Sequence, residues 1–208
     1  MTVESDIEVA SDAAIRSFIA IELDDATRRA IAAAIRELRN GPGGDHIRWL
    51  RPENLHVTLR FLGDIDPARV PALTAALRAE AAGVSPFALT LGELGAFPSL
   101  RRPQVLFFRV GPQQPLAVLA SAVERAVVQA GFAAETRPFR PHLTLGRARR
   151  GKHVPVTAPV TPPGDSRVVD EIVLFHSQLA LSGTDTNSGT GATHTPLDRI
   201  ALGRPHHP

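Results

Sequence analysis

The unit His-x-Thr-Leu occurs twice in the chain, as His56-Val57-Thr58-Leu59 and as His142-Leu143-Thr144-Leu145. Side chains alternate between the faces of a strand, so each histidine shares a face with the threonine two residues on. Val57 and Leu59, like Leu143 and Leu145, then point to the opposite, core face. One imidazole beside one hydroxyl on the open side of an apolar strand is ordinary surface polarity. Two such pairs at matching places in two halves of a chain place an imidazole on each side of a common cleft, if the halves close on one another. In-line displacement at phosphorus needs that arrangement: a base for the incoming nucleophile and an acid for the leaving oxygen. Imidazole titrates at about pH 6.5, so a neutral and a protonated ring coexist near neutrality. Threonine hydroxyls can donate to the non-bridging oxygens as charge grows on them.

The elements that position these pairs also read as a repeat. The first motif sits in RPENLHVTLRFLG, which starts at Arg51, and the second in RPFRPHLTLGRAR, which starts at Arg137. Upstream of the first, residues 16–23 form an apolar strand. Asp24 and Asp25 cap a helix with Ile31, Ile35 and Leu38 on one face and Gly41 at its end. Short strands follow at 47–50 and 55–62. Asp66 and Pro67 open a second helix that buries Val70, Leu73 and Leu77. A strand at 87–94 and a turn-rich connection at 95–103 lead to the second copy. That copy has a strand at 105–110, then a helix from Pro115 with Leu116, Leu119, Val123 and Val127 in one stripe, closed by Gly131. Short strands are expected at 133–136 and around 143–145, a proline-rich loop at 149–165, one bent strand at 168–181, a flexible loop at 182–195 and a last strand at 196–202. Strand–helix–strand twice over is α+β architecture, with antiparallel sheets and helices outside. The expected layout is a disordered tail over 1–15, one two-lobed domain over 16–203 and a tail over 204–208.

Composition narrows the chemistry. Of 208 residues 43% are hydrophobic and the net charge is +2, which suits a folded globular chain rather than a disordered one. There is no cysteine, which removes disulfides, thiolate nucleophiles and Cys-based metal sites and fits a cytoplasmic protein. Residues 1–15 carry four acids and no base, unlike a secretory or organellar leader, and no stretch is apolar enough for a membrane span. Of 23 bases 22 are arginine, and they are unevenly spread: residues 96–155 hold 10 bases against Glu124 and Glu135, a balance of +8. A basic middle third suits a polyanion, and arginine suits bidentate phosphate contacts.

With these flanks and this separation, the paired motifs resemble the 2H phosphoesterases, a family with two H-x-[T/S]-x motifs. More narrowly, they resemble the bacterial and archaeal RNA 2′,3′-cyclic phosphodiesterases, also called 2′-5′ RNA ligases. The likeness runs from about Arg16 to Gly203 and is carried by FIAIEL, RWLRPENLHVTLRFLGD, LGAFPSLRRPQVLFF, RPFRPHLTLGRAR and VDEIVLFHSQL. The resemblance implies a bilobal pseudo-two-fold fold with two antiparallel sheets lining a central cleft. It also implies metal-independent hydrolysis of a terminal 2′,3′-cyclic phosphate to a 2′-phosphomonoester, with no cofactor, by a monomer. It makes His56 the proton donor to the leaving ribose oxygen and His142 the proton acceptor from water. Thr58, Thr144 and Arg147 match the phosphate-binding residues. Strict alternation puts Arg147 on the face opposite His142 unless the strand bulges near Gly146. Weak reverse 2′-5′ ligation follows from microscopic reversibility. The chain departs from the family in its first residues, in its short proline-rich 149–165 connection, and in carrying His194 where an aromatic is common.

Two other readings stand beside this one. The same machinery suits a small cyclic nucleotide, and a cleft without turnover suits an RNA- or nucleotide-binding module. A pure binder has no need of two titrating groups, and binding to a polyanion weakens steeply with salt. Trp49 and Phe61 flank the first motif and read as core residues, with base stacking as the alternative. Arg101, Arg102, Arg137, Arg140, Arg149 and Arg150 are candidates for tracking an RNA backbone. His46, His153, His176 and His194 have no partner at metal-ligand spacing, and His206 and His207 form a tail pair.

Overall fold

The structure, a computed structural model, describes residues 13–152, 162, 164, 167–179 and 192–203. The chain runs β1 (Ile15–Glu22), α1 (Asp25–Asn40), β2 (Ile47–Trp49), β3 (His56–Ile65), α2 (Val70–Ala81), β4 (Phe87–Phe97), β5 (Val105–Gly111), α3 (Gln113–Gln129), β6 (His142–Ala148), β7 (Arg167–Val169), β8 (Glu171–Leu179) and β9 (Ala192–Ala201). Two antiparallel sheets form, in the orders β3-β1-β8-β9 and β2-β6-β5-β4-β7. The repeat is visible in them. β1 pairs with β3 in one sheet as β5 pairs with β6 in the other. The first of each pair is flanked on its far side, β1 by β8 and β5 by β4.

Local chemistry explains the helices. The Asp24 carboxylate accepts from the Thr27 N–H at 2.7 Å and so caps α1, whose Ile31 and Ile35 are buried. Leu116, Leu119, Val123 and Val127 of α3 are buried as the stripe requires. That helix closes at Gly131, whose φ of +80° favours glycine. One large core joins the helices to the inner sides of both sheets, through Ile19, Ile21, Val57, Leu73, Phe108, Leu143 and Leu145 among others. Phe18, Ala20, Val173 and Phe175 form a second, smaller cluster on the other face of the first sheet. Among the described residues no helix is long and apolar enough to cross a membrane.

Bulges adjust which side chains face outward. In β6, Thr144 pairs with Phe107 but Gly146, not Leu145, pairs with Leu106. Leu145 and Gly146 therefore both face the core, and Arg147, opposite Val105, returns to the face of Thr144 and His142. Glycine is required at that turn, because a Cβ on Gly146 would lie 2.6 Å from Ile47 Cγ2 and 3.0 Å from the Arg48 carbonyl oxygen. Gly146→Ala is expected to cost about 1–3 kcal/mol as overpacking does elsewhere, read as a lower urea midpoint with unchanged m-value.

Several sequence expectations need correction. Residues 133–136 form no strand. Their backbone is held by side chains instead: Arg60 donates to the Ala133 carbonyl at 2.6 Å and Glu124 accepts from the Glu135 N–H at 2.7 Å. The single strand expected at 168–181 is two strands in different sheets, β7 against β4 and β8 against β1, broken at Asp170. The last strand begins at Ala192, so His194 lies in a ladder rather than in a loop; it pairs with Ser177. Ile15 opens β1 rather than ending a tail. Residues 1–12 of the expected tail, most of 149–165 and 182–195, and the 204–208 tail with His206 and His207 lie outside the described residues, as does His153.

Candidate active site

β3 and β6, one from each sheet, lie against each other and bring Thr58 of the first motif and His142 of the second to one cleft. Val57, Leu59, Leu143 and Leu145 are buried, while His56, Thr58, His142 and Thr144 are half-buried on the other side of their strands. Thr58, Phe61 and His142 line a cleft of about 810 Å³, together with Phe97, the outer side of α3 and the 135–140 loop.

Both imidazoles are held in the same way. His56 Nδ1 lies 2.8 Å from the Asn54 carbonyl oxygen, and His142 Nδ1 lies 2.7 Å from that of Arg140. A carbonyl only accepts, so Nδ1 must carry the hydrogen in each ring, which leaves Nε2 as the atom that exchanges a proton. Asn54 is itself buried and donates to the Ala192 carbonyl at 2.8 Å, which fastens the start of β9 to the first motif. The approach to His142 is fastened by Arg60, whose Nε donates to Glu124 at 2.8 Å. Glu135 is held by hydrogen bonds from Arg137, which put its carboxyl well below the usual range, at about 2.

The surroundings of the two rings differ. His56 stacks on Phe18 at 4.7 Å between centroids and meets the His194 ring edge-on at 5.4 Å. Phe18 in turn stacks on Phe175 at 5.2 Å. Burial in this wall pushes the His56 pKa down to about 4, with further lowering by charge on His194, His142 and Arg28; the bond to the Asn54 carbonyl opposes this. β3 and β6, which carry the two rings, lie against each other. Burial also lowers the pKa of His194. His142 is met edge-on by Phe97 at 5.1 Å and by Phe107 at 5.4 Å, and its cross-strand neighbour on the same face is the exposed Arg109.

The other expected residues sort themselves by placement. Trp49 is core: it is buried and its indole N–H donates to the Gly44 carbonyl at 2.9 Å. Phe61 is not core. A bulge at Leu59 pairs Arg60 with Ile19 and Phe61 with Phe18, turning Phe61 onto the cleft side, where it is 56% exposed. His46 pairs with Asp45 at 3.7 Å, and His176 stands on β8 beside Ser17 and Thr195. Arg147 is on the site face, but at the far end of β6. Sequence reasoning missed Phe18, Phe97, Phe107, Arg109 and the contact of His194 with His56. Strand parity pointed to Phe107 and Arg109, which stand in VLFFRV at the spacing of one face. Among the described residues no group of three or more His, Cys, Asp or Glu is placed to hold a metal ion.

Two imidazole–hydroxyl pairs on β3 and β6, strands of two antiparallel sheets that lie against each other, are the pattern of a two-histidine phosphoesterase. The chain belongs to the LigT-like phosphoesterase family: the model described as LigT like Phosphoesterase matches residues 21–107 and 110–182. It is 32% identical over 133 residues to the RNA 2′,3′-cyclic phosphodiesterase of Bacillus subtilis, a match covering 64% of this chain and 73% of that one. It is also 32% identical over 173 residues to the protein of the same name from Geobacillus stearothermophilus, covering 78% of this chain but only 52%, about half, of that relative. The crystal structure of E. coli LigT complexed with 3′-AMP superposes with a TM-score of 0.70 at 29% identity, covering 91% of this chain and 98% of that one.

Proposed function

We propose that the protein hydrolyses the terminal 2′,3′-cyclic phosphate of RNA to a 2′-phosphomonoester. The observation that carries this reading is the duplicated His–Thr pair on adjoining strands, each Nδ1 pinned to a carbonyl two residues back and each Nε2 left as the proton-exchanging atom. The names of the relatives from Bacillus and Geobacillus describe the same reaction. Water attacks phosphorus in line with the ribose O3′ and loses its proton to His142 Nε2. The new P–O bond forms as P–O3′ breaks, and O3′ takes a proton from His56 Nε2. Thr58 and Thr144 hold the non-bridging oxygens, where negative charge grows in the transition state, and Arg147, three residues further along β6, adds positive charge at the edge of the site. With a 5′-hydroxyl in place of water as the attacking group, the same steps, P–O3′ breaking as the new P–O bond forms, join RNA ends through a 2′-5′ bond. One chain supplies both halves of the cleft, which supports a monomer as the active form.

The test is ³¹P NMR of a short RNA ending in a 2′,3′-cyclic phosphate, incubated with the protein and EDTA. Loss of the cyclic signal with growth of a 2′-monoester is expected. A 3′-monoester would reverse the orientation of the ribose, and an unchanged spectrum with bound RNA would favour a binding module.

A further inference from the structure

Beyond the cleft, on the face that carries His142, the second sheet ends in a cluster of basic side chains. The bulge at Leu145–Gly146 turns Arg147 onto this face, and the β2–β6 register sets Arg48 directly opposite it. Both are exposed. Like charges facing each other across two strands are destabilising by roughly 0.2–1 kcal/mol. Arg147 also lines a hollow of about 620 Å³ with Arg102, Arg149, Arg150 and Lys152, and no Asp or Glu is among its lining residues. Arg149 is anchored there, with its Nε donating to the Asp45 carbonyl. Two other arginine-rich surfaces are compensated. The groove along α1 sets Arg28, Arg29 and Arg36 among Glu22, Asp25 and Glu53. In the cleft, Arg60 and Arg137 are paired with Glu124 and Glu135.

We propose that this hollow and its Arg48–Arg147 rim are a phosphodiester subsite, which takes the RNA backbone on the 5′ side of the nucleotide bearing the cyclic phosphate. The inference rests on the cleft being an RNA cyclic-phosphate site. Geometry places the subsite at a suitable remove. Arg147 is three residues beyond Thr144, about 10 Å along the strand, so a phosphate in the hollow belongs to a neighbouring nucleotide. An anion there removes the Arg48–Arg147 repulsion, and the planar guanidinium forks suit bidentate contacts to phosphate oxygens. The enzyme is thereby an oligonucleotide enzyme that a cyclic mononucleotide engages only in part.

Arg48→Gln and Arg102→Gln, singly and together, test this against two substrates: a 2′,3′-cyclic mononucleotide, and a tetranucleotide ending in the same cyclic nucleotide. Both are assayed over a salt series. On the tetranucleotide, log(kcat/KM) against log[salt] is expected to flatten by about 0.7 for each phosphate contact removed. Turnover of the mononucleotide stays as in the wild type. Equal losses on both substrates, or an unchanged salt slope on the tetranucleotide, overturn the proposal. Arg150→Gln, in the loop beyond β6, supplies the same test should either strand variant lower the melting temperature. Fluorescence anisotropy of an RNA ending in a 2′-phosphate reads the same slopes without turnover. A wild type that binds this RNA with the expected slope yet hydrolyses neither substrate would overturn the proposed reaction and leave the subsite standing.

Discussion

Alanine in place of His142 or of His56 is expected to lower kcat by about 10²–10⁴-fold, the range found for positioned acid–base groups, with the fold intact. The two side chains stand outside both apolar clusters, and their strands are anchored by Val57, Leu59, Leu143 and Leu145, which the variants keep. Combining the substitutions should cost little more than either alone, because an acid and a base acting in one displacement are not additive. The leaving group separates their roles. A nucleoside 2′-(p-nitrophenyl phosphate) expels an anion that needs no proton, so it should restore much of the rate to His56→Ala and none to His142→Ala. The opposite rescue pattern would exchange the two assignments. Near wild-type turnover of cyclic phosphate in both single variants would remove the two-histidine mechanism altogether.

The site was legible in the sequence because its chemistry rides on strand parity. HVTL and HLTL each place a His and a Thr on one face and two aliphatics on the other, and the burial of Val57, Leu59, Leu143 and Leu145 follows that pattern. Caps and stripes fixed the helices for the same reason, since Asp24 and the Leu116–Val127 stripe act through neighbours in sequence. Long-range pairing was not legible. Whether Phe61 faces the core or the cleft depends on a bulge defined by the register of β3 against β1. The return of Arg147 to the site face depends likewise on pairing with β5. Residues 168–181 read as one strand because periodicity carries no information about which sheet receives each half; the switch at Asp170 is settled by two partners, β4 and β1. His194 looked solitary because its neighbours Phe18 and His56 are far away in the chain, and only the β8–β9 ladder and the Asn54–Ala192 bond bring them together.

The wall around His56 carries the second large expectation, which concerns pH. In the unfolded chain this imidazole takes up a proton near pH 6.5, whereas burial in the free native protein lowers that value to about 4, so the proton it gives to O3′ is taken up with the anionic substrate beside it. Between these values the unfolded state binds more protons, so stability rises with pH. The contribution is complete above about pH 6.5, declines as the solution is acidified, and is gone below about pH 4. Its full size is about 3 kcal/mol by linkage. Carboxylates held low, such as Glu22 and Asp24, add acid sensitivity of the same sign. The measurement is therefore a difference: urea unfolding of the wild type and of His56→Gln from pH 7 to pH 4, with the variant losing less stability. Catalysis should report the same group. The low-pH limb of kcat/KM, which belongs to the free enzyme, is expected near 4 whichever histidine is the acid. A pair that must share one proton loses its active form when the second proton arrives, and the pair titrates as a unit. His194→Ala opens the wall to water and removes the nearest competing imidazole, so the limb should move up by about one to two units toward the ordinary value. At pH 5 that is a loss of kcat/KM of about twofold to tenfold, depending on how far the limb moves, with little change at pH 8. A wild-type limb already above pH 6, unmoved by His194→Ala, would mean that Phe18 and His194 do not govern the protonation of His56.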